Sequence, residues 1–321
     1  MNRIVFILIA FVLCLPANAQ AVAAEPAGLV HGSVTTMQPA LGYIHWDVSP
    51  FIYEGEHFAI GWYGTLWVLG LVGLLITLLI TFRHDGVPQQ YAFLTFMITL
   101  VLAIFFAHLF QGLFYEWYIG ADGHCHNYYF EHPWRFLDIT HGGFSSHGVI
   151  VGALLAGVVS AKFLRCGVWY IVDRIMMGLF WIAVAVRVGN FINGEIYGIE
   201  TSLPWGVVFG DDAYPSHPTQ IYELLTYLLV MAIGWGMYLR KGKPYPAGLI
   251  TGVMCSVVAL LRILIEFVKL PQMRIEATWM LNMGQWLSVP MAIFGIWLCF
   301  YVLEKETVVV AADKKKKQNK K

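Results

Sequence analysis

Seven runs of apolar residues, each near the ~20 needed to cross a bilayer, alternate with polar stretches along this chain. They lie at about 59–82, 91–114, 146–164, 171–188, 220–239, 246–268 and 285–303. Their length and apolarity predict an all-α fold, a polytopic integral membrane protein with about seven transmembrane helices. An eighth, shorter run opens the chain. Residues 1–24 carry Arg3, an apolar core from Ile4 to Leu15, and Ala17-Asn18-Ala19 before Gln20. That is the grammar of a cleaved export signal. An uncleaved anchor is the alternative, although about a dozen apolar residues fall short of a full span. The expected organisation is a signal-like segment at 1–24, an extracytoplasmic segment at 25–58, a seven-helix unit at 59–303 and a lysine-rich tail at 304–321.

Composition agrees with this pattern. Of 321 residues, 58% are hydrophobic and 12% charged, about half the charge of a soluble domain. Five scattered cysteines (Cys14, Cys125, Cys166, Cys255, Cys299) include no CxxC pair, so neither a disulfide framework nor a structural zinc site is indicated. His124-Cys125-His126 with Glu131 and His132 fits no standard zinc spacing.

Charge sorts between the loops. Arg83, Lys162, Arg165, Arg174, Arg240, Lys241 and Lys243 fall on one side, joined by the tail lysines Lys314 to Lys317, Lys320 and Lys321. The opposite loops hold Arg135, Lys269 and Arg274. The positive-inside rule then puts the mature N-terminus outside and the C-terminus in the cytoplasm, the orientation a cleaved export signal also predicts. Arg83-His84-Asp85-Gly86 reads as a cytoplasmic turn. The tail reads as a solvated segment near anionic headgroups.

Against this apolar background, polar residues inside or at the ends of spans stand out, because each needs a partner at that depth. Val186 to Glu195 read Val-Arg-Val-Gly-Asn-Phe-Ile-Asn-Gly-Glu. His147 follows Gly142-Gly143-Phe144-Ser145-Ser146 at the start of the third run. His217-Pro218-Thr219-Gln220-Ile221-Tyr222-Glu223 opens the fifth. Arg262 and Glu266 stand four apart in the sixth, on one helix face, and Met283-Gly284-Gln285 opens the seventh. Taken singly, Arg262 with Glu266 suits an intrahelical ion pair, His147 a packed hydrogen-bonded histidine, and Gln220 and Gln285 interhelical ties. Together, two arginines and a histidine in the outer-leaflet half point to an anionic phospholipid. Guanidinium matches phosphate in bidentate geometry, and His147 is the side chain of the set that can shuttle a proton near neutral pH.

On these strings the chain resembles the bacterial prolipoprotein diacylglyceryl transferase family, from roughly Gly61 to Leu303. Further support comes from Trp62-Tyr63-Gly64 in the first span and Met283-Gly284-Gln285-Trp286-Leu287-Ser288-Val289-Pro290 in the seventh. The resemblance implies transfer of the diacylglyceryl group of phosphatidylglycerol to the lipobox cysteine of an exported prolipoprotein. A thioether forms and glycerol phosphate leaves, in the bacterial plasma (inner) membrane. It implies that Arg187 grips the phosphate, Arg262 stabilises the leaving phosphate, and His147 is a candidate base for the thiol. Tyr63, Asn190, Asn193 and Glu195 would line the headgroup site, Glu266 would fix Arg262, and Gln285 would join the substrate-binding set. The implied partners are phosphatidylglycerol, the prolipoprotein signal peptide and membrane lipids. No nucleic acid, metal or organic cofactor is implied. The chain departs from the family pattern at Val186, where Gly is usual, at Ala107-His108 and Gln111 in the second span, and at Val258, where tyrosine is common. A paralogue moving another lipid group, and a non-catalytic anionic-lipid transporter, are the alternative functions.

Overall fold

The computed structural model describes residues 42–55, 58–119, 124–138, 144–240, 245–270 and 281–318. The signal-like segment 1–24 lies outside the described residues, as do Gly142 and Gly143. Seven long helices follow one another: α1 (Trp62–His84), α2 (Gln89–Phe114), α3 (Ser146–Leu164), α4 (Val168–Ile192), α5 (Thr219–Tyr238), α6 (Leu249–Glu266) and α7 (Met283–Gln318). Each contains a stretch long and apolar enough to cross a membrane, as the seven runs predict. Most ends differ by a few residues from the sequence reading. The largest difference is α7, which continues from the apolar run through the lysine-rich tail to Gln318; α4 extends four residues past its run, so that Asn190 as well as Arg187 sits inside a continuous helix.

The ends have local causes. Between α1 and α2 the chain reverses through Gly86, at φ +73°, before Pro88; glycine adopts this left-handed conformation without strain, and proline suits a helix start. Gly248, at φ +99°, does the same before α6.

Helix α4 is the hub of the bundle, packing against α1, α3, α5 and α6. Its buried face includes Ile171, Ile175, Met177 and Phe180, which meet Leu74 and Leu78 of α1 and Val230 of α5 in one apolar cluster. Without a hydrophobic force between helices in lipid, close approach through small residues holds pairs together. On α3, a Cβ at Gly148 would overlap the Phe106 carbonyl of α2, and one at Gly152 the Leu102 carbonyl. At the perimeter, Leu69, Ile76, Phe105, Leu229, Leu264 and Phe300 are exposed, as suits side chains that face acyl chains.

Two acidic residues tie the bundle at the end where α1 finishes. Asp85 is more than a turn residue. Its carboxylate accepts from Arg174 Nη2 (2.6 Å) and Nε (3.0 Å), from Tyr170 (2.8 Å) and from Tyr238 (2.9 Å), joining α1, α4 and α5. The Arg174 guanidinium also lies 3.5 Å over the Tyr170 ring, a cation–π contact. Buried Asp173 caps α6 from the side, accepting from Gly248 N (2.8 Å), Thr251 N (2.9 Å) and Thr251 Oγ1 (2.6 Å). A carboxylate at a helix N-terminus satisfies free N–H groups and complements the helix dipole.

At the opposite end lie three two-stranded pairs. Strand β1 (Ile44–Trp46) runs parallel to β6 (Val207–Phe209), with Ile44 opposite Val207. Strands β2 (Phe51–Glu54) and β3 (Ala59–Gly61) are antiparallel, as are β4 (Trp117–Ile119) and β5 (Cys125–Asn127). His126 and Tyr118, on the last pair, both bond Glu131, at 2.8 and 2.6 Å.

Candidate functional site

The last turns of α4 carry the polar string. Arg187 and Asn190 stand three apart, hence on one face, and Arg187 Nη1 donates to Asn190 Oδ1 at 3.0 Å. Asn193 ends the helix, and Gly194 (φ +64°) and Ile196 (φ +60°) turn the chain back. Ile196 is β-branched and disfavours that conformation, so its surroundings must hold it there. They do so through α5. Thr219 Oγ1 donates to the Ile196 carbonyl (3.0 Å) and Gln220 Nε2 to the Glu195 carbonyl (2.8 Å). The reversal folds the Glu195 carboxylate back to accept from Asn190 Nδ2 (2.9 Å) and Asn193 Nδ2 (3.3 Å). Tyr63 of α1 lies on Gly189, where a Cβ would meet the ring at 2.7 Å. Arg187, Asn190 and Glu195 are its polar neighbours.

Deeper in the bundle, Glu223 of α5 is 1% exposed and faces three cations. Arg187 Nε is 2.7 Å from Oε2, Lys269 Nζ 3.3 Å from Oε1, and Arg262 Nη2 3.6 Å from Oε1. The Arg187 contact is an ion pair without hydrogen-bond alignment, since neither Nε nor Oε2 completes a hydrogen bond. Arg262 Nη1 donates to Tyr227 of α5 at 2.9 Å. Arg262 thus finds its close carboxylate on the neighbouring helix. Glu266 remains a charged neighbour of Arg262, but its carboxylate lies against Gly284 at the start of α7. A Cβ at Gly284 would sit 2.6 Å from that carboxyl group. Gln285 is turned to the same junction, donating to the Ile263 carbonyl (3.3 Å) and accepting from Asn282 N (3.1 Å).

His147, in the first turn of α3, is 3.2 Å through Nδ1 from the Tyr115 hydroxyl, and Arg262 is its charged neighbour. It borders an apolar cavity of about 170 Å³ that reaches Leu154, Met176, Cys255, Met291 and Phe294. The structure therefore gathers Tyr63, Arg187, Asn190, Asn193 and Glu195 around one end of α4 and joins them to Arg262 through Glu223. It places His147 beside Arg262, and Glu266 and Gln285 at the α6–α7 junction.

Four contributors escape the sequence reading as site members: Tyr115, Glu223, Tyr227 and Lys269. Glu223 stands in a string singled out for other reasons, and Lys269 reads there as a loop charge. Tyr227, one turn beyond Glu223 on α5, supplies Arg262 with the hydroxyl that Val258 lacks. Tyr115, one turn past Gln111, supplies one to His147. His108 is buried and bonds the Arg135 carbonyl at 2.8 Å, and Gln111 Nε2 donates to Glu116 at 3.0 Å. Both departures in the second span thus support the loop beyond α2.

Chemically, fixed cations in a dry site stabilise phosphate charge. An imidazole nearby suits proton abstraction, and an apolar cavity beside both suits hydrocarbon.

Residues 50–301 match the family described as prolipoprotein diacylglyceryl transferase. Among curated relatives, the phosphatidylglycerol–prolipoprotein diacylglyceryl transferase of Chlamydia trachomatis is 34% identical over 291 residues, covering 82% of this chain and all of that protein. Those of Chlamydia pneumoniae and Chloroherpeton thalassium are 32% and 31% identical, each spanning 80% of this chain and 94% of the relative. The chain belongs to the prolipoprotein diacylglyceryl transferase family.

Proposed function

We propose that this multi-pass membrane transferase moves the diacylglyceryl group of phosphatidylglycerol to the lipobox cysteine of exported prolipoproteins in the bacterial plasma membrane. The α4 string faces the outer leaflet and the C-terminus the cytoplasm. The observation that carries the reading is the convergence of Arg187 and Arg262, from two helices, on buried Glu223 beside His147 and an apolar cavity. Phosphatidylglycerol offers the complementary parts, an anionic phosphate joined to acyl chains.

The reaction follows from these parts. His147 takes the proton of the incoming thiol, because the thiolate is the effective nucleophile. Sulfur bonds to the glycerol carbon, the carbon–oxygen bond to phosphate breaks, and its electron pair leaves with glycerol phosphate. Arg187 grips the phosphate and Arg262 meets its developing charge. Tyr63, Asn190, Asn193 and Glu195 shape the headgroup pocket, while Glu266 and Gln285 border it from the α6–α7 junction. No acyl oxyanion forms, since the attack is at an sp³ carbon.

The test is to incubate purified protein with phosphatidylglycerol and a lipobox peptide and to measure glycerol phosphate release. Arg187→Ala is expected to lower the rate about 10²–10³-fold, the scale of losing one charge-stabilising donor. Lipid binding without product for any acceptor would favour a transporter. Product from another phospholipid but not phosphatidylglycerol would favour a paralogous transferase.

A further inference from the structure

The cluster holds a third cation that the reaction above leaves unused. Lys269 lies just beyond α6, is 3% exposed, and is fixed by its backbone as well as by its side chain's bond to Glu223. Lys269 N donates to the Glu266 carbonyl (3.3 Å), Ile199 N donates to the adjacent Val268 carbonyl (3.0 Å), and Gly198 bridges to Lys269 itself. A Cβ at Gly198 would overlap the Val268 carbonyl. The segment that follows the α4 string therefore sets the ammonium in place.

The charges facing Lys269 are Glu223 from α5, Arg187 from α4, and Arg262 and Glu266 from α6. Glu223 Oε2 is taken by Arg187 at 2.7 Å. The other oxygen is shared between Lys269 at 3.3 Å and Arg262 at 3.6 Å. Two cations on one carboxylate oxygen leave positive charge only partly matched, in a site dry enough for that to matter. A phosphodiester brings one negative charge. When its carbon–oxygen bond breaks, the electron pair stays on oxygen and the departing monoester gains a second.

We propose that Lys269 is a third phosphate-facing cation, matched to the second negative charge that forms on departing glycerol phosphate. This rests on the phosphatidylglycerol reading given above. The sulfur–carbon bond forms, the carbon–oxygen bond breaks, and Nζ donates a hydrogen bond to the oxygen left behind, with no proton exchanged. That charge exists only in the transition state and product, so Lys269 acts on kcat more than on KM. Burial pushes the Lys269 ammonium below the usual lysine range against the pull of Glu223, so its charge is lost at a lower pH than an exposed lysine's. A guanidinium at the same place keeps its charge.

The experiment measures kcat and KM for phosphatidylglycerol from about pH 6 to about pH 11, a range that brackets the ordinary lysine value. Lys269→Met is expected to lower kcat about 100-fold with KM changed only a few-fold. Wild type is expected to lose activity at alkaline pH; Lys269→Arg, which also controls for folding, is expected to retain most activity at neutral pH and to lack that alkaline fall. A Lys269→Met effect confined to KM, or an alkaline fall unchanged in Lys269→Arg, overturns the assignment while leaving the transferase reading intact. No glycerol phosphate release by wild type overturns both.

Discussion

Glu223→Gln isolates what holds the candidate site together. The substitution keeps the side chain's shape but removes a negative charge that lies within 3.6 Å of Arg187, Arg262 and Lys269 alike. At an effective dielectric of about 20, unit charges at these separations attract by about 5–6 kcal/mol each. Most of that offsets the desolvation of four buried charges. Removing one partner from a buried ion pair has a net effect of about 3–5 kcal/mol, because the remaining charge is left uncompensated. For a chain of this size that corresponds to a fall of roughly 6–20 °C in melting temperature. The assay is thermal unfolding in detergent micelles, followed by tryptophan fluorescence, with and without phosphatidylglycerol. The lipid is expected to restore more of the loss in Glu223→Gln than it adds to wild type, because a ligand that binds only the folded state stabilises it. A melting temperature within about a degree of wild type would refute the view that Glu223 organises the three cations.

Other consequences concern the scaffold. Asp173→Ala strips three donors at the start of α6 of their acceptor and is expected to destabilise by about 2–4 kcal/mol, read as a lower melting temperature. Burial alone would raise the Asp85 carboxyl, but hydrogen bonds from Arg174 and Tyr170 outweigh it and hold the group below the usual range. Its stabilisation is therefore complete above the ordinary carboxylate pKa and lost as pH falls through the lowered one. The melting temperature should drop more steeply in wild type than in Asp85→Asn between about pH 5 and about pH 2; parallel curves would count against the tie. Gly148→Ala drives a methyl group into the Phe106 carbonyl of α2 and should lower stability by about 1–3 kcal/mol through overpacking, with an unchanged melting temperature arguing against the close α2–α3 contact.

The spans were legible because apolar length is a one-dimensional property, and each run reappears as a helix. Arg187 and Asn190 were legible for the same reason, as polar residues at the end of an apolar run that must find partners. The partners themselves were not. A spacing of four between Arg262 and Glu266 allows an ion pair along the helix, but Tyr227 and Glu223 of α5 offer closer groups across it. Glu223 lies in a string that reads as the start of a span, and nothing in its neighbours in sequence says that three cations from two other segments meet it. Lys269 reads as a loop charge in the sequence because burial of a loop residue follows from tertiary bridging to Gly198. Asp85 likewise reads as a turn until Arg174 is brought to it by the packing of α4 on α1.

The parallel pairing of β1 with β6 carries a consequence for biogenesis. Tyr43 donates to the Ser202 carbonyl across 159 residues, and the Trp46 ring lies tilted against Phe191 of the α4 string, centroids 4.5 Å apart. During synthesis the first strand emerges long before its partner, and four helices must enter the bilayer before the two can meet. Closing so long a loop is slow relative to local helix formation. The wall of the site beside β1 is thus completed only after α4 has emerged, and a fusion placed directly ahead of Gly42 would burden that non-local step more than the insertion of any helix.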